Sequence, residues 1–251
     1  MNDILAEAFW AFDHILISKG YDNPAPHRHL AKHLIFSVNN KFECVVENAS
    51  FYCKGVCIDS NVEHTIGRND GNILVFLFDE TSVLARELSV NYLMGKPFCV
   101  LDEKLSSKVS TVWEETHKDS KKLDEAILSV CQLKRSCRIK YDHRIHQLLE
   151  SVSQMEGIYQ NAISTLCDVV YLSRSRLSHL FKQQVGVSLS SYLVFEKMRK
   201  AYTYVATGEN ITIASVRAGF DSPSHFSAVC KRMFGLSFTD FRKMTLLKEV
   251  M

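Results

Sequence analysis

The amino-acid sequence predicts an α+β multidomain fold, with a small β-barrel and a helix pair first and an all-α domain last. Short runs rich in Val, Ile, Phe and Tyr, separated by turn residues, occupy residues 1–98. The spacing of apolar residues becomes helical after Lys96-Pro97 and stays helical along the rest of the chain. The last third also repeats itself, because Leu177 and Phe226 hold the same place in two similar runs 49 positions apart.

The β part is predicted from five apolar runs with turn signals between them. Asn39-Asn40-Lys41 and the Asn-Asp-Gly-Asn run at 69–72 are two of these signals. Many short strands of this kind are typical of a small barrel or sandwich, which we assign to residues 1–98. The predicted strands are Leu34–Val38, Phe42–Glu47, Ser50–Cys53, Val56–Ile58 and Ile73–Phe78.

Residues 99–140 are predicted to form an antiparallel helix pair with a polar break at His117–Lys122. Apolar residues recur at helical spacing on both sides of the break. Such a pair packs on the barrel, forms a dimer seam, or does both. The candidate dimerisation residues are Leu105, Val109, Trp113, Leu123 and Ile127.

Residues 141–251 are predicted to be almost wholly helical. Ser173, Ser188 and Ser222 stand at N-cap positions, and Pro223 follows Ser222 at a first helical position, where its missing N–H costs nothing. Gly186 and Gly208 end two of the helices. The predicted helices are His143–Met155, Ser164–Val170, Arg174–Val185, Leu189–Ala206, Ile213–Ala218, Pro223–Phe234 and Phe238–Lys248.

The internal repeat predicts two helix-turn-helix units joined by a long helix. The 49-residue step pairs Lys182 with Lys231 and Tyr192 with Phe241. Each unit contains a short helix, a tight turn and a second helix with exposed polar residues. The joining helix, Leu189–Ala206, is about 27 Å long at ~1.5 Å per residue. This length suits two units about 34 Å apart, which is one turn of duplex DNA.

The second helix of each unit is predicted to be apolar on one face and polar on the other. The buried face holds Leu177, Leu180 and Phe181 in the first unit and Phe226, Val229 and Cys230 in the second. An α-helix with a free polar face fits the major groove, where side chains reach base edges. The candidate DNA-binding residues are Arg174, Ser175, Arg176, Ser178, His179 and Lys182, and then Ser224, His225, Ser227, Ala228 and Lys231.

The segment from about 143 to 245 resembles the DNA-binding domain of the AraC/XylS family of transcriptional regulators. The most diagnostic part is Ala218, Gly219, Phe220, Ser222, Ser224 and Phe226. The resemblance implies two helix-turn-helix units, double-stranded promoter DNA as a partner, and activation through contact with RNA polymerase. It also implies base and backbone contacts at the residues named above, from Ser175 to Lys182 and from Ser224 to Lys231.

Two positions depart from the family's pattern, and both lie in the second unit. Ala228 stands where a long polar or basic residue is frequent, and Cys230 replaces a Phe. We therefore expect the first unit to supply most of the sequence discrimination. Lys182 and Lys231 are expected to contact phosphate, which adds salt-dependent affinity without sequence information.

A histidine pattern in the first domain suggests an effector or metal site. Pro26-His27-Arg28-His29, followed later by His64, resembles the cupin-like domains often fused to this DNA-binding module. On a strand, His27 and His29 project to the same side, and His64 can complete a set for a divalent metal. The alternatives are a pocket for a small organic effector and exposed histidines without a ligand. No cofactor is required by the pattern.

Composition and cysteine usage favour a cytoplasmic protein without a membrane segment. The net charge is +2, and 13 basic against 9 acidic side chains lie in residues 141–251. The N-terminal run is acidic, without the basic start of a signal peptide. Eight scattered cysteines suit reduced thiols. Cys44, Cys53 and Cys57 are then core residues or, alternatively, redox-active thiols.

Two other functions compete with the regulator hypothesis. The first is a metal-dependent cupin enzyme with a helical accessory domain, which needs His27, His29 and His64 to hold a metal. The second is an adaptor whose helix pair recruits partners. We predict that the chain is not an enzyme, because it has no nucleophile–base arrangement and no phosphate-binding glycine loop.

Overall fold

The computed structural model describes residues 7–11, 13–18, 25–28, 30–67, 72–134, 141–234 and 245–248. The chain divides into two compact units. The first, the sheet unit, contains residues 1–137 and 232–251, and the second, the helical unit, contains residues 138–231.

The described strands of the sheet unit form two sheets. The larger has seven strands in the order β10-β1-β2-β8-β3-β6-β9, and the smaller has three in the order β5-β4-β7. Neighbours are antiparallel except for β1 and β10, which are parallel. The strands are β1 (Glu7–Trp10), β2 (His14–Ser18), β3 (Lys32–Ser37), β4 (Phe42–Val46), β5 (Ala49–Cys53), β6 (Gly55–Ile58), β7 (His64–Ile66), β8 (Ile73–Phe78), β9 (Phe98–Val100) and β10 (Thr245–Lys248).

The two sheets confirm an N-terminal β-domain, and the five predicted strands correspond to β3, β4, β5, β6 and β8. The described pairings keep the two sheets separate, so they do not show a closed barrel. The larger sheet buries both faces of its central strands β3 and β8. Ring contacts between His33 and His64 and between Phe51 and Phe98 show that the smaller sheet packs on one of these faces.

The predicted helix Phe238–Lys248 is wrong at its end. Thr245–Lys248 is strand β10, paired with Glu7–Trp10, and residues 235–244 lie outside the described part of the chain. The pairing explains the difference. Strand β1 has one neighbour in β2 and takes β10 on its other side, so hydrogen bonds between strands decide a conformation that local helical spacing cannot.

Helices cover the other face of the larger sheet. They are α1 (Val83–Leu88), which continues into a π-helical turn at Ser89–Leu93, α2 (Glu103–Thr116) and α3 (Ser120–Val130). Asp102 and Asp119 begin the last two as N-caps, because each carboxylate accepts a backbone N–H of the first turn. The apolar faces of α2 and α3 meet Leu34, Phe76 and Phe78 in one core.

The residues predicted for dimerisation belong to this core. Val109 and Ile127 are fully buried, Trp113 and Leu123 are nearly so, and Leu105 packs partly buried against the same cluster. Of the two uses left open for the helix pair, the structure shows packing on the sheet of the same chain. Burying these side chains there removes apolar area from water without a second copy.

The helical unit contains five complete described helices and most of a sixth, α9. They are α4 (His143–Gln154), α5 (Ala162–Val170), α6 (Arg174–Val185), α7 (Leu189–Ala206), α8 (Ile211–Arg217) and α9 (Pro223–Phe234). Their ends follow the predicted caps: Ser173 and Ser188 accept N–H groups of α6 and α7, and Gly186 and Gly208 adopt left-handed backbone after α6 and α7. Within the described residues, we find no helix long and apolar enough to cross a membrane.

Candidate nucleic-acid interface

The first turn-helix unit consists of α5, a short turn and α6. The turn begins with Tyr171 in left-handed conformation, and the Ser173 hydroxyl accepts a hydrogen bond from the Arg176 N–H at 3.5 Å. Leu177, Phe181 and Val185 are buried along one side of α6. The buried stripe therefore starts at Leu177 as predicted, while Leu180 is half-buried.

The other side of α6 is open to solvent. Every predicted contact of the first unit lies there, and three of them carry fixed positive charge. Arg174 and Arg176 are in the first turn of the helix, and Lys182 lies two turns further on. The exposed residues are Arg174, Ser175, Arg176, Ser178, His179 and Lys182.

The second unit consists of α8, a turn at Gly219 and α9. The Ser222 hydroxyl accepts the His225 N–H at 3.1 Å, so it caps α9 as predicted. Phe226, Val229 and Cys230 are buried on one side of the helix. On the other side Ser224, His225, Ala228 and Lys231 are exposed, and Ser227 is half-buried.

The turn of the second unit is fixed from two directions. Gly219 has φ +105°, and a Cβ there would collide with the Ile158 carbonyl. The Ile158 N–H donates to the Ala218 carbonyl at 2.9 Å, which holds the two segments together. From α7, the Lys197 ammonium donates to the Gly219 carbonyl at 2.8 Å. Burial lowers the pKa of Lys197, although Asp221 acts in the opposite direction.

The exposed face of α9 is partly engaged within the chain. The His225 ring lies 3.1 Å from the Asp221 carboxylate through its Nδ1, and it meets the Phe220 ring edge-on with centroids 5.6 Å apart. Ala228 presents a methyl group at the centre of the face. Among the predicted contacts, α9 carries one Lys or Arg side chain, Lys231, whereas α6 carries three. The exposed faces of α6 and α9 therefore differ in their number of cations and in whether their side chains already have contacts within the chain.

Helix α7 connects the two turn-helix units, and packing holds it in place along its length. Its 18 residues bury Leu189, Phe195, Met198 and further apolar side chains along its length. Glu196 is almost fully buried and binds the Arg199 guanidinium through two nitrogens. At about 1.5 Å per residue, the helix spans about 27 Å. A spacer held by packing and charge along its length keeps the distance between its ends constant.

The sheet unit brings together a histidine cluster that differs from the predicted one. His27 and His64 exchange backbone hydrogen bonds of 3.1 and 3.0 Å, and their ring centroids are 4.6 Å apart. The third imidazole is His33, 4.3 Å from His64. Its part was missed because sequence spacing does not reveal that β3 and β7 face each other. His29 lies outside the described residues.

The histidine cluster is buried, and burial favours the neutral form of His27 and His64. Burial and then the charge of His27 lower the pKa of His64 to about 4, and burial lowers the pKa of His27. The Nδ1 atoms of His27 and His64 lie 2.9 and 2.8 Å from the carbonyls of Ala25 and Val62, so these nitrogens carry the protons. Among the described residues, no group of three or more His, Cys, Asp or Glu has metal-binding geometry.

A buried histidine outside this cluster was not predicted from the sequence. His14 lies between two carboxylates, with Nδ1 2.7 Å from Asp13 and Nε2 2.5 Å from Asp124. Burial alone would lower the pKa of His14, but the hydrogen bonds that its ring donates to Asp124 and Asp13 outweigh burial and raise that pKa. The ion triad joins the start of β2 to α3. A 110-residue separation between His14 and Asp124 hides such a pair from sequence analysis.

Three cysteine thiols of the sheet unit are core groups. Cys44, Cys53 and Cys57 are buried, and desolvation raises the pKa of Cys44 to about 12 and that of Cys53 to about 11. The pKa of Cys57 is raised further for the same reason. Thiols of this kind stay protonated, and the thiolate is the reactive form. Of the two alternatives for these residues, the structure therefore favours core packing.

Comparison with known proteins shows that the chain is similar to transcriptional regulators with helix-turn-helix domains. Residues 166–244 match the model of a helix-turn-helix domain. The probable transcriptional regulator LumQ of Photobacterium leiognathi is 22% identical over 228 residues, covering 86% of this chain and 91% of LumQ. The arabinose operon regulatory protein of Escherichia coli (strain K12) is 34% identical over 103 residues, covering 40% of this chain and 35% of the relative.

Two further comparisons extend the match. The transcriptional activator RhaR of Mannheimia succiniciproducens is 24% identical over 157 residues, covering 58% of this chain and 55% of the relative. The chain thus spans about a third to a half of the length of the arabinose and RhaR relatives. ToxT from Vibrio cholerae shares the fold in an apo variant, with a TM-score of 0.57 and 14% identity over 93% of this chain and 98% of that one.

Two capped turn-helix units with polar outer faces, matched by sequence to regulators, define a DNA-binding transcriptional regulator. The enzyme alternative has no support, because the matched relatives are regulators with this domain. The chain is similar to transcriptional regulators of this class, and its 34% identity to the arabinose operon regulatory protein agrees with the resemblance of residues 143–245 to the AraC/XylS DNA-binding domain.

Proposed function

We propose that this regulator binds promoter DNA by placing α6 and α9 in successive segments of the major groove. The observation that carries the proposal is the outward polar face of each helix, opposite a fully buried apolar stripe. The proposed contacts are Arg174, Ser175, Arg176, Ser178, His179 and Lys182 on α6, and Ser224, His225, Ser227, Ala228 and Lys231 on α9.

The contacts divide into base-reading and backbone-binding residues. Arg176 lies in the first turn of α6, where a reading helix approaches the base edges most closely, and its guanidinium suits two acceptors of guanine. Lys182 and Lys231 lie further along their helices and carry flexible point charges. We assign these two lysines to phosphate, so they add affinity that falls with salt.

The first unit supplies most of the sequence discrimination. Its face offers two guanidinium groups and an imidazole to solvent, whereas His225 of the second face is held by Asp221. Ala228 has no hydrogen-bonding group in its side chain and can contribute apolar contact alone. The second unit then acts mainly as an anchor on the sugar-phosphate backbone.

Binding of two variants to matched and scrambled DNA tests this division. An operator is first recovered from a random-sequence duplex library with the full chain. Arg176→Ala is expected to lower the preference for operator over scrambled duplex by about 10-fold or more, since a good base contact contributes ~1–3 kcal/mol. Lys231→Ala is expected to weaken binding to both duplexes equally. It is also expected to reduce the slope of log binding constant against log salt concentration by about 1. Loss of preference in Lys231→Ala with none in Arg176→Ala contradicts the division.

The sheet unit is proposed to control DNA binding through a small organic effector. Its interior between the sheets is apolar, with the imidazoles of His27, His33 and His64 as hydrogen-bonding groups. A structural neighbour, ToxT from Vibrio cholerae, has been solved with an unsaturated fatty acid bound, at a TM-score of 0.55 and 14% identity over 93% of this chain and 96% of that one. An effector acts by its differential affinity for DNA-competent and incompetent states.

Oleate, as a representative unsaturated fatty acid, tests the effector proposal. Its addition is expected to raise the unfolding temperature of the full chain and to change its affinity for the operator by at least about 5-fold, the lower end of typical coupling. Zn²⁺ in place of oleate tests the alternative metal at His27, His29 and His64. Unchanged DNA affinity and unfolding temperature with oleate would count against a fatty-acid effector.

We further propose that the regulator activates transcription through contact with RNA polymerase in the cytoplasm. The functional domains are 1–98 as a cupin-like sensor, 99–140 as a helical linker and 141–251 as the DNA-binding domain. If the chain forms a homodimer, its interface uses surface other than the buried faces of α2 and α3. Sedimentation of the full chain with and without operator reports the number of copies that bind.

A further inference from the structure

The turn of the first unit places a tyrosine in a backbone conformation that suits glycine. Tyr171 has φ +53° and ψ +42°, in the left-handed region, directly after α5. The turn of the second unit uses Gly219 for the same purpose, with φ +105°. Bulky L-residues rarely adopt this region, because Cβ approaches the following carbonyl oxygen. The tyrosine therefore costs folding free energy that glycine would not.

Packing within the helical unit does not explain the residue. The Tyr171 side chain is 94% exposed, more than any other large apolar or aromatic side chain among the described residues. The main chain closes α5 without the ring, since the N–H groups of Tyr171 and Leu172 both donate to the Cys167 carbonyl. A strained conformation combined with an unused side chain points to a role in binding.

The position of Tyr171 indicates what it binds. Ser173, the N-cap of α6, follows two residues later, and Arg174 and Arg176 lie in the next turn. In a bound helix-turn-helix unit, the start of the second helix enters the major groove while the first helix crosses the backbone. The corner between the two helices therefore lies at the wall of the groove, beside the phosphates.

We propose that Tyr171 contacts DNA, donating a hydrogen bond from its hydroxyl to a phosphate oxygen at the point where α6 enters the groove. The inference rests on the proposed function and adds a contact outside both reading helices. Tyrosine hydroxyls are among the side-chain groups that bind phosphate oxygens in protein–DNA complexes. Because phosphate is the same at every base pair, the contact raises affinity without changing sequence preference.

Fluorescence anisotropy of the full chain with two labelled duplexes tests the contact. The duplexes are the recovered operator and its scrambled form, and the variants are Tyr171→Phe and Tyr171→Asn. Removing the hydroxyl in Tyr171→Phe is expected to weaken both duplexes by about 10-fold or more, as for a hydrogen bond to a charged group. Asn tolerates left-handed backbone, so Tyr171→Asn is expected to keep the unfolding temperature and to bind at least as weakly.

A matched control is Tyr52→Phe, which removes the hydroxyl of another exposed tyrosine, 68% exposed on β5 of the sheet unit. It is expected to bind both duplexes as wild type does. If Tyr171→Phe and Tyr171→Asn also bind like wild type, the inference is overturned, and Arg176→Ala in the same assay shows whether the proposed function survives. Weakening confined to the operator contradicts a phosphate contact and indicates base reading.

Two further outcomes are decisive. Normal DNA binding by Tyr171→Asn, with loss of reporter activation in cells, assigns the tyrosine to a protein partner and overturns the inference. Failure of wild type to bind either duplex at low salt removes the proposed function and this inference together.

Discussion

The two turn-helix units share a plan but differ in what they leave free. In the first unit, α6 exposes two arginines and a lysine, and its turn carries the exposed Tyr171. In the second, the Gly219 turn is held by Lys197 and packed against Ile158, and His225 is held by Asp221. The same architecture thus has one helix, α6, whose polar side chains are exposed, and one, α9, whose turn and His225 are held by contacts within the chain. A duplicated fold does not imply duplicated function, since packing around each copy decides which groups remain available.

The largest expected contrast lies in the two buried stripes. The 49-residue step pairs Phe181 with Cys230, and both are fully buried. Phe181→Ala removes a ring and leaves a cavity, which is expected to lower the free energy of unfolding by about 3–5 kcal/mol. Cys230→Ala removes one sulfur atom and is expected to cost about 1 kcal/mol. Urea unfolding of the full chain measures both, and equal losses would break the contrast.

The next contrast concerns the two turns. Gly219→Ala adds a Cβ in left-handed backbone against the Ile158 main chain, and it is expected to cost about 3 kcal/mol. Tyr171→Ala keeps a Cβ that the first turn already accommodates, so stability is expected to change by less than about 0.5 kcal/mol. Thermal unfolding of the two variants, prepared identically, compares them. A large loss in Tyr171→Ala would show that the first turn is braced by its side chain.

The smallest effect comes from releasing His225. Asp221→Asn removes a negative charge from the second face, at the carboxylate that the His225 ring contacts. Affinity for the operator is expected to rise by about 2- to 5-fold at low salt, and the gain is expected to shrink as salt screens it. Anisotropy titrations at two salt concentrations measure this, with Asp168→Asn on α5 as a control. Unchanged or weaker binding would mean that Asp221 positions His225 for DNA.

The parts of the fold that sequence predicted are those fixed by local chemistry. Helices α6, α7 and α9 have the predicted ends, because Ser173, Ser188 and Pro223 mark their starts, and Gly186 closes α6. The buried stripe on α6 follows helical spacing. Such features depend on residues within one or two turns of each other, so the sequence carries them directly.

Features set by distant contacts were missed. His33 meets His64 across two sheets, and His14 meets Asp124 across 110 residues. Thr245–Lys248 reads as helix and becomes a strand because β1 takes it as a partner. The turn at Gly219 is held by Lys197 of α7 and by the carbonyl of Ile158. No local sequence pattern links either residue to that turn. Each case needs knowledge of which elements become neighbours.

The parallel pairing of β10 with β1 has a practical consequence for anyone who handles this protein. Removing residues 245–248 would strip β1 of its outer neighbour and leave a row of unpaired N–H and C=O groups. Exposed strand edges of this kind pair with strands of other molecules, so shortened forms are expected to precipitate even when α6 and α9 are intact. An affinity tag is better attached with a flexible spacer than by trimming the chain to its last helix.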